Sequence, residues 1–150
     1  MSWTNSDGLT VLMHEEQGVA KDGGITTVSP IKHIKLKLDL TADKTVAAND
    51  VAIPAGSYIT DARLVVTTAA AGGTSINFGL ANAAGTAIDA DGIDAAVATA
   101  ALAANLAVVC NGALVGAAAG VGGADAYVTT ANTGTFTAGE AVLVISYIEV

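Results

Sequence analysis

Cysteine is almost missing from this chain, and basic residues are missing from more than half of it. Each shortage removes a class of function. Cys110 is the only cysteine, so no intrachain disulfide and no cysteine-based zinc site can form. It sits in "LAVVCNGALV", with no basic neighbour to favour the thiolate, and reads as inert core filling. All six Lys and Arg lie between Lys21 and Arg63, against eight acids in residues 1–63, a net of −2. Residues 64–150 carry six acids and no cation, a net of −6. A chain with that balance has no general attraction for phosphate backbones or anionic lipid, so neither nucleic acid nor membrane is expected as a partner. Catalytic signatures are lacking too. There is no G-x-S-x-G, H-E-x-x-H or G-x-x-x-x-G-K-[ST]. His14 and His33 are the only histidines, and neither stands in a nucleophile–base arrangement. The reading is therefore not an enzyme, with no catalytic residue and no cofactor.

Two further absences concern the membrane. "MSWTNSDGL" has no charged start followed by an apolar run, so it does not read as a signal peptide. Residues 95–124 carry no charge, a run longer than the ~20 positions that span a bilayer. That run is mostly alanine and glycine, is interrupted by Asn105 and Asn111, and has no flanking Lys or Arg. A transmembrane reading is rejected.

Apolar residues make up 52% of the 150 positions and charged residues only 13%, a balance opposite to that of disordered chains. So little surface charge suggests an exterior partly hidden against partners or copies of itself. Strand signals dominate. In "IKHIKLKLDL", Ile34, Leu36, Leu38 and Leu40 alternate with polar residues, which puts the aliphatics on one face of a strand. Pro54 and Gly56 mark a turn before a long strand over 57–68, with Tyr58, Ala62, Leu64 and Val66 sharing a face. "SINFGLAN" alternates Ile76, Phe78 and Leu80. "AVLVISYIEV" is apolar on both faces, as in a central strand with a layer on either side. Glycine-containing breaks such as "AAGGTS", "GVGGAD" and "TGTFTAG" separate many of the runs. The expected fold is all-β, an antiparallel β-sandwich of jelly-roll-like form, in a single domain over 1–150 with 1–8 as an N-terminal arm.

One segment departs from that pattern. Asp91 is placed to cap a helix and Asp94 to face its dipole. Ile93, Val97, Ala100 or Ala101, and Ala104 then recur at helical spacing among alanines. The spacing predicts one short inserted α-helix near 92–105. The same acids invite a calcium test. Setting Gly92 as the glycine of a helix–loop–helix calcium loop puts Ala87 and Ala98 where the first and last ligands belong. No metal is assigned on that count, and Asp89 and Asp91 are the weak candidates for an irregular site. His33, on the polar face of its strand, reads as solvated. Phe78 and Tyr147 read as core or near-core. Trp3, in a polar segment without periodic neighbours, reads as an anchor into a partner.

Taken together, "MSWTNSDGL", "VAIPAGSYITDARLVV", "INFGLANAAGTAIDADGIDA" and "FTAGEAVLVISYI" resemble stretches of small structural proteins of tailed bacteriophages, in particular the capsid decoration (cement) proteins of phage heads. The resemblance implies a non-enzymatic β-sandwich that binds the outside of an assembled shell and bridges major capsid subunits. It further implies a homotrimer, located on the virion exterior and made in the host cytoplasm. The partners would be the major capsid protein and further copies of the chain. Trp3, Leu9, Lys32, Lys35 and Lys37 are the candidate contact residues. The alternative is a head-fibre or tail-associated module binding host-surface glycans, for which Tyr127 with Asp125 and Asn132 is the one hint. A third option is an extracellular calcium-dependent matrix protein, whose melting temperature calcium would raise.

Overall fold

The computed structural model describes residues 2–4, 10–12, 31–116 and 120–150. The chain divides into two compact units, Met1–Pro30 and Ile31–Val150. In the first, β1 (Ser2–Thr4) pairs antiparallel with β2 (Thr10–Leu12), which sets Trp3 opposite Val11.

The second unit is an antiparallel sandwich of two sheets, as the alternating runs predict. One sheet has the order β3-β9-β4-β7, from Ile31–Asp39, Phe136–Ile148, Tyr58–Gly72 and Ala107–Val109. The other has the order β6-β5-β8, from Ala87–Ala98, Ser75–Ala81 and Tyr127–Thr133. Leu38, Leu64, Leu143 and Ile145 from the first sheet join Ile76, Phe78 and Leu80 from the second in one buried core. Each such side chain contributes roughly 1.5–3 kcal/mol by leaving water.

The two longest pairs behave as one folded ribbon. β4 runs on into β5, and β8 into β9, so the β4–β9 pair in one sheet becomes the β5–β8 pair in the other. The corner is made of glycine: Gly72, Gly73 and Gly134 all have positive φ. A Cβ on Gly73 would lie 2.2 Å from the ring of Phe136, which is buried against it. Only a glycine allows the aromatic ring to close the corner.

Two expectations need correction in detail. Tyr58 is only half-buried; Ile59 takes its place in the core, with Ala62, Leu64 and Val66 following. The register of β4 against β9 slips between Ile59 and Asp61, and such a bulge reverses the parity of everything before it. The α-helix near 92–105 does not form. Residues 92–98 continue β6, and a single 3-10 turn, Thr99–Ala101, follows. Alanine favours helix over other ordinary residues by at most ~0.7 kcal/mol each. Pairing with β5, which sets Val97 opposite Ile76 and Asp94 opposite Phe78, overrides that preference. Asp91 and Asp94 therefore cap nothing.

Two of the four edges of these sheets are covered in part. Along β8, Lys44 N–H donates to Thr130 Oγ1 and Thr130 N–H to the Lys44 carbonyl. Along β6, Gly112 and Leu114 donate to the carbonyls of Ile93 and Gly92. Both edges are thus denied to unwanted partners.

Candidate interaction surface

The sheet β3-β9-β4-β7 buries one face in the sandwich. Its other face has no covering layer among the described residues of 31–150. Antiparallel register lays out that face as rows. One row runs Lys35, Val144, Arg63, Val109 across the four strands. The next runs Lys37, Val142, Val65, Ala107. Val65, in the interior strand β4, is 40% exposed, and Val109, at the end of the edge strand β7, 61%. Val142 and Val144 are half-buried. Among the described residues of 31–150 the second apolar face of "AVLVISYIEV" meets no further layer: β9 is interior to its sheet, and Val142 and Val144 join Val65 and Val109 in a strip with charged residues of both signs around it.

Charge of both signs surrounds and enters the strip: Arg63 stands between Val144 and Val109, and the flanking rows carry Asp61 on one side and Asp39 with Glu140 on the other. Arg63 Nε reaches Asp61 at 3.1 Å, and Lys37 Nζ lies 3.8 Å from Glu140. His33 Nδ1 is 2.8 Å from Ser146 Oγ on the same face. Exposed pairs of this kind contribute little to stability, and they leave the charges available to a partner. Of the candidate contact residues, Lys35 and Lys37 lie together on this face. Lys32 does not: it faces Tyr147 across the ladder, on the parity of the core residues, and its Nζ is 2.6 Å from Glu149 Oε1. Trp3 lies in β1, and Leu9 is outside the described residues.

The charged residues of the other sheet are all acids. β5, β6 and β8 contain Asp89, Asp91 and Asp94 and no Lys or Arg. β6 leaves regular pairing between Leu80 and Phe78, and its backbone at Asp89 and Ala90 crosses over Gly79; a Cβ there would lie 2.3 Å from Ala90. That crossing brings the carboxyls of Asp89 and Asp91 together. A hydrogen bond with Asp89 holds the Asp91 carboxyl above the usual carboxylate range, with desolvation and repulsion adding to it. Asp94 is buried instead. Burial raises its pKa, against backbone N–H groups of Ala95 and Asn111 and the Cys110 thiol, which favour the anion. Burial, with Asp94 and Asp61 nearby, pushes the Cys110 thiol up to about 12, so it is a poor nucleophile. Among the described residues no three His, Cys, Asp or Glu side chains converge as a metal site.

A groove of about 500 Å³ lies between the 43–46 loop and the β5–β6 turn, walled largely by alanine and threonine. Tyr127 and Asp125 share a smaller concavity nearby with Asn82 and Ala124. Asp125 already accepts from Ala55 N–H at 3.0 Å. Asn132 is five residues along β8 from Tyr127, roughly 17 Å away in an extended strand, and donates to the Leu40 carbonyl. The three residues therefore do not meet in one site.

Among described residues, no helix is long and apolar enough to cross a membrane. Neither a protein-family model nor a curated protein matches the sequence. Solved structures do match the fold. A chain in the capsid asymmetric unit of cyanophage Pam1 superposes with a TM-score of 0.54 at 16% identity, over 98% of each chain. A chain in the capsid of Ralstonia phage GP4 gives a TM-score of 0.51 at 15% identity, over 89% of this chain and 94% of that one. The shared property is the fold, from end to end of all three chains or nearly so.

Proposed function

We propose that the chain is a structural protein of a tailed-phage virion that decorates the capsid exterior and bridges major capsid subunits as a homotrimer. The observation that carries the reading is the full-length correspondence in fold with a chain of the Pam1 capsid asymmetric unit. A strand-built unit with a valine strip on an open sheet face is consistent with work done by binding rather than by catalysis. Each copy would add interface between shell subunits, and many modest contacts summed over a shell raise the cost of pulling it apart. The segment 1–8 with Trp3, together with the adjoining Leu9, is proposed as an arm that reaches a shell subunit or a neighbouring copy.

The test uses capsids of the encoding phage assembled without this protein. Purified protein is added, the capsids are pelleted, and their disassembly temperature is measured. Saturable co-sedimentation with a rise in disassembly temperature is expected. Capsids that ignore the protein would refute the reading, and binding to bacterial surface glycans in isolation would move the assignment to a recognition module.

A further inference from the structure

We infer that Asn111 is a site of spontaneous covalent modification, deamidation through attack by the Gly112 nitrogen, and that the docking of residues 110–114 on β6 holds the reaction in check. The inference is independent of capsid binding.

The sequence sets the chemistry. Asn111–Gly112 is the one Asn-Gly step in the chain; the other six asparagines precede Ser, Asp, Phe, Ala, Leu or Thr. With no Cβ on the following residue, the backbone nitrogen reaches the side-chain carbonyl carbon without a steric obstacle. The Gly112 nitrogen gives up its proton and bonds to Cγ of Asn111. The Cγ–Nδ2 bond breaks, and Nδ2 leaves as ammonia, taking a proton. Water then opens the succinimide at either carbonyl, which leaves aspartate or, in the larger share, isoaspartate. Asn111 is exposed, so the water is at hand and no oxidant or further reactant enters.

The fold supplies the restraint. Gly112 N–H donates to the Ile93 carbonyl at 2.8 Å, and the nitrogen cannot surrender its hydrogen until that bond breaks. The main chain is held on both sides, by Cys110 N–H on the Ala62 carbonyl and Leu114 N–H on the Gly92 carbonyl, each at 2.9 Å. Asn111 N–H itself donates to the buried carboxyl of Asp94. Glycine is also fixed at 112: a Cβ there would lie 2.4 Å from the Gly92 oxygen and 2.5 Å from the carbonyl carbons of Gly92 and Ile93. The close approach of two backbones that protects the site thus requires the very residue that makes it reactive.

The product does not fit the docked geometry. Isoaspartate routes the main chain through Cβ and adds one atom between the N–H of residue 111 and that of Gly112. The bonds to Asp94 and Ile93 then cannot both hold, and the new carboxylate stands near the buried one. Cys110, buried beside them, loses its cover. A transient opening of the segment is thereby made permanent.

The test incubates the full chain in mildly alkaline buffer, native and in urea, and follows residue 111 by peptide mass spectrometry. Pepsin is the protease, since residues 64–150 offer trypsin no Lys or Arg. In urea Asn111 is expected to gain the mass of one deamidation about tenfold or more faster than Asn105, which precedes Leu106. In the native chain the Gly112 bond must open first, for a slowing of about fivefold, and with the Leu114 bond about twenty-five-fold. Leu114→Ala removes a half-buried side chain packed on Gly92 and is expected to raise the native rate about threefold or more, with the rate in urea unchanged. Converted native chains should react faster at Cys110 with a thiol reagent. No preference for Asn111 in urea overturns the site. A native rate within about fivefold of the rate in urea overturns the restraint, as does a Leu114→Ala rate equal to the wild type. Converted chains whose Cys110 stays protected would refute the undocking.

Discussion

Replacing Gly79 by alanine tests the feature that places the aspartates. Phe78 and Leu80 point into the core, so a Cβ on Gly79 points to the opposite face of β5, where β6 crosses it. That Cβ would lie 2.3 Å from the carbonyl carbon and oxygen of Ala90 and 2.5 Å from the Asp89 oxygen. Comfortable contact begins at about 3.5 Å, so the β6 backbone must retreat by about 1 Å. The atoms in the way belong to a main chain held on both sides by pairing, Asp89 with Leu80 and Asp94 with Phe78. No flexible side chain can yield. Overpacking of this kind costs about 1–3 kcal/mol, and obstruction by backbone favours the upper half of that range. Gly79 has no positive φ, so backbone strain does not contribute.

Gly123→Ala supplies the control. Nothing lies within 4 Å of its added Cβ and its φ is not positive. Alanine there is expected to stabilise by about 0.4–1 kcal/mol through the unfolded chain alone. Urea titrations should separate the two variants by about 2–4 kcal/mol, read from midpoints at unchanged slope. By thermal melting the separation is about 4 °C for each kcal/mol. Equal midpoints would refute the reasoning, because β6 would then not lie across β5. The pairing of the Asp89 and Asp91 carboxyls over that crossing would fall with it.

Other expectations follow from buried polar groups. The Lys44–Asp50 pair, 2.6 Å apart with side chains 19% and 17% exposed, ties down the loop that covers the β8 edge; Lys44→Met should cost about 1–3 kcal/mol in urea titrations at pH 7. For Asp50, burial is outweighed by the Lys44 and Ala47 hydrogen bonds, so its pKa is lowered from 3.8; its contribution is present above that value, lost as pH falls through the folded pKa, and the cost of Lys44→Met should shrink there. Asp94 has the opposite sign. Its raised pKa means a contribution present below 3.8 and lost as pH rises through the folded value, so the wild type should lose stability relative to Asp94→Asn over that rise. Cys110, 3% exposed with its thiol pushed up to about 12, should react with a thiol reagent only on unfolding; a native rate within about tenfold of the rate in urea would contradict its burial.

The regular strands are legible in the sequence because alternation is a property of neighbours. Ile34, Leu38 and Leu40, and Ile76, Phe78 and Leu80, are buried as their spacing predicts. What escapes depends on residues distant in sequence. The slip near Thr60 exchanges Tyr58 for Ile59 in the core, and nothing local in "SYITDARL" announces it. At 92–98, alanine propensity speaks for a helix without knowledge of the β5 edge that needs a partner. The coverage of β8 by Lys44 spans 86 positions of sequence. The candidate face lies between these cases. That Lys32 parts company with Lys35 and Lys37 is readable from parity alone. That the outward valines of β4 and β9 meet in one strip requires the register. The signal is present in "AVLVISYIEV", whose second apolar face points to a covering layer without saying whether that layer belongs to the same chain.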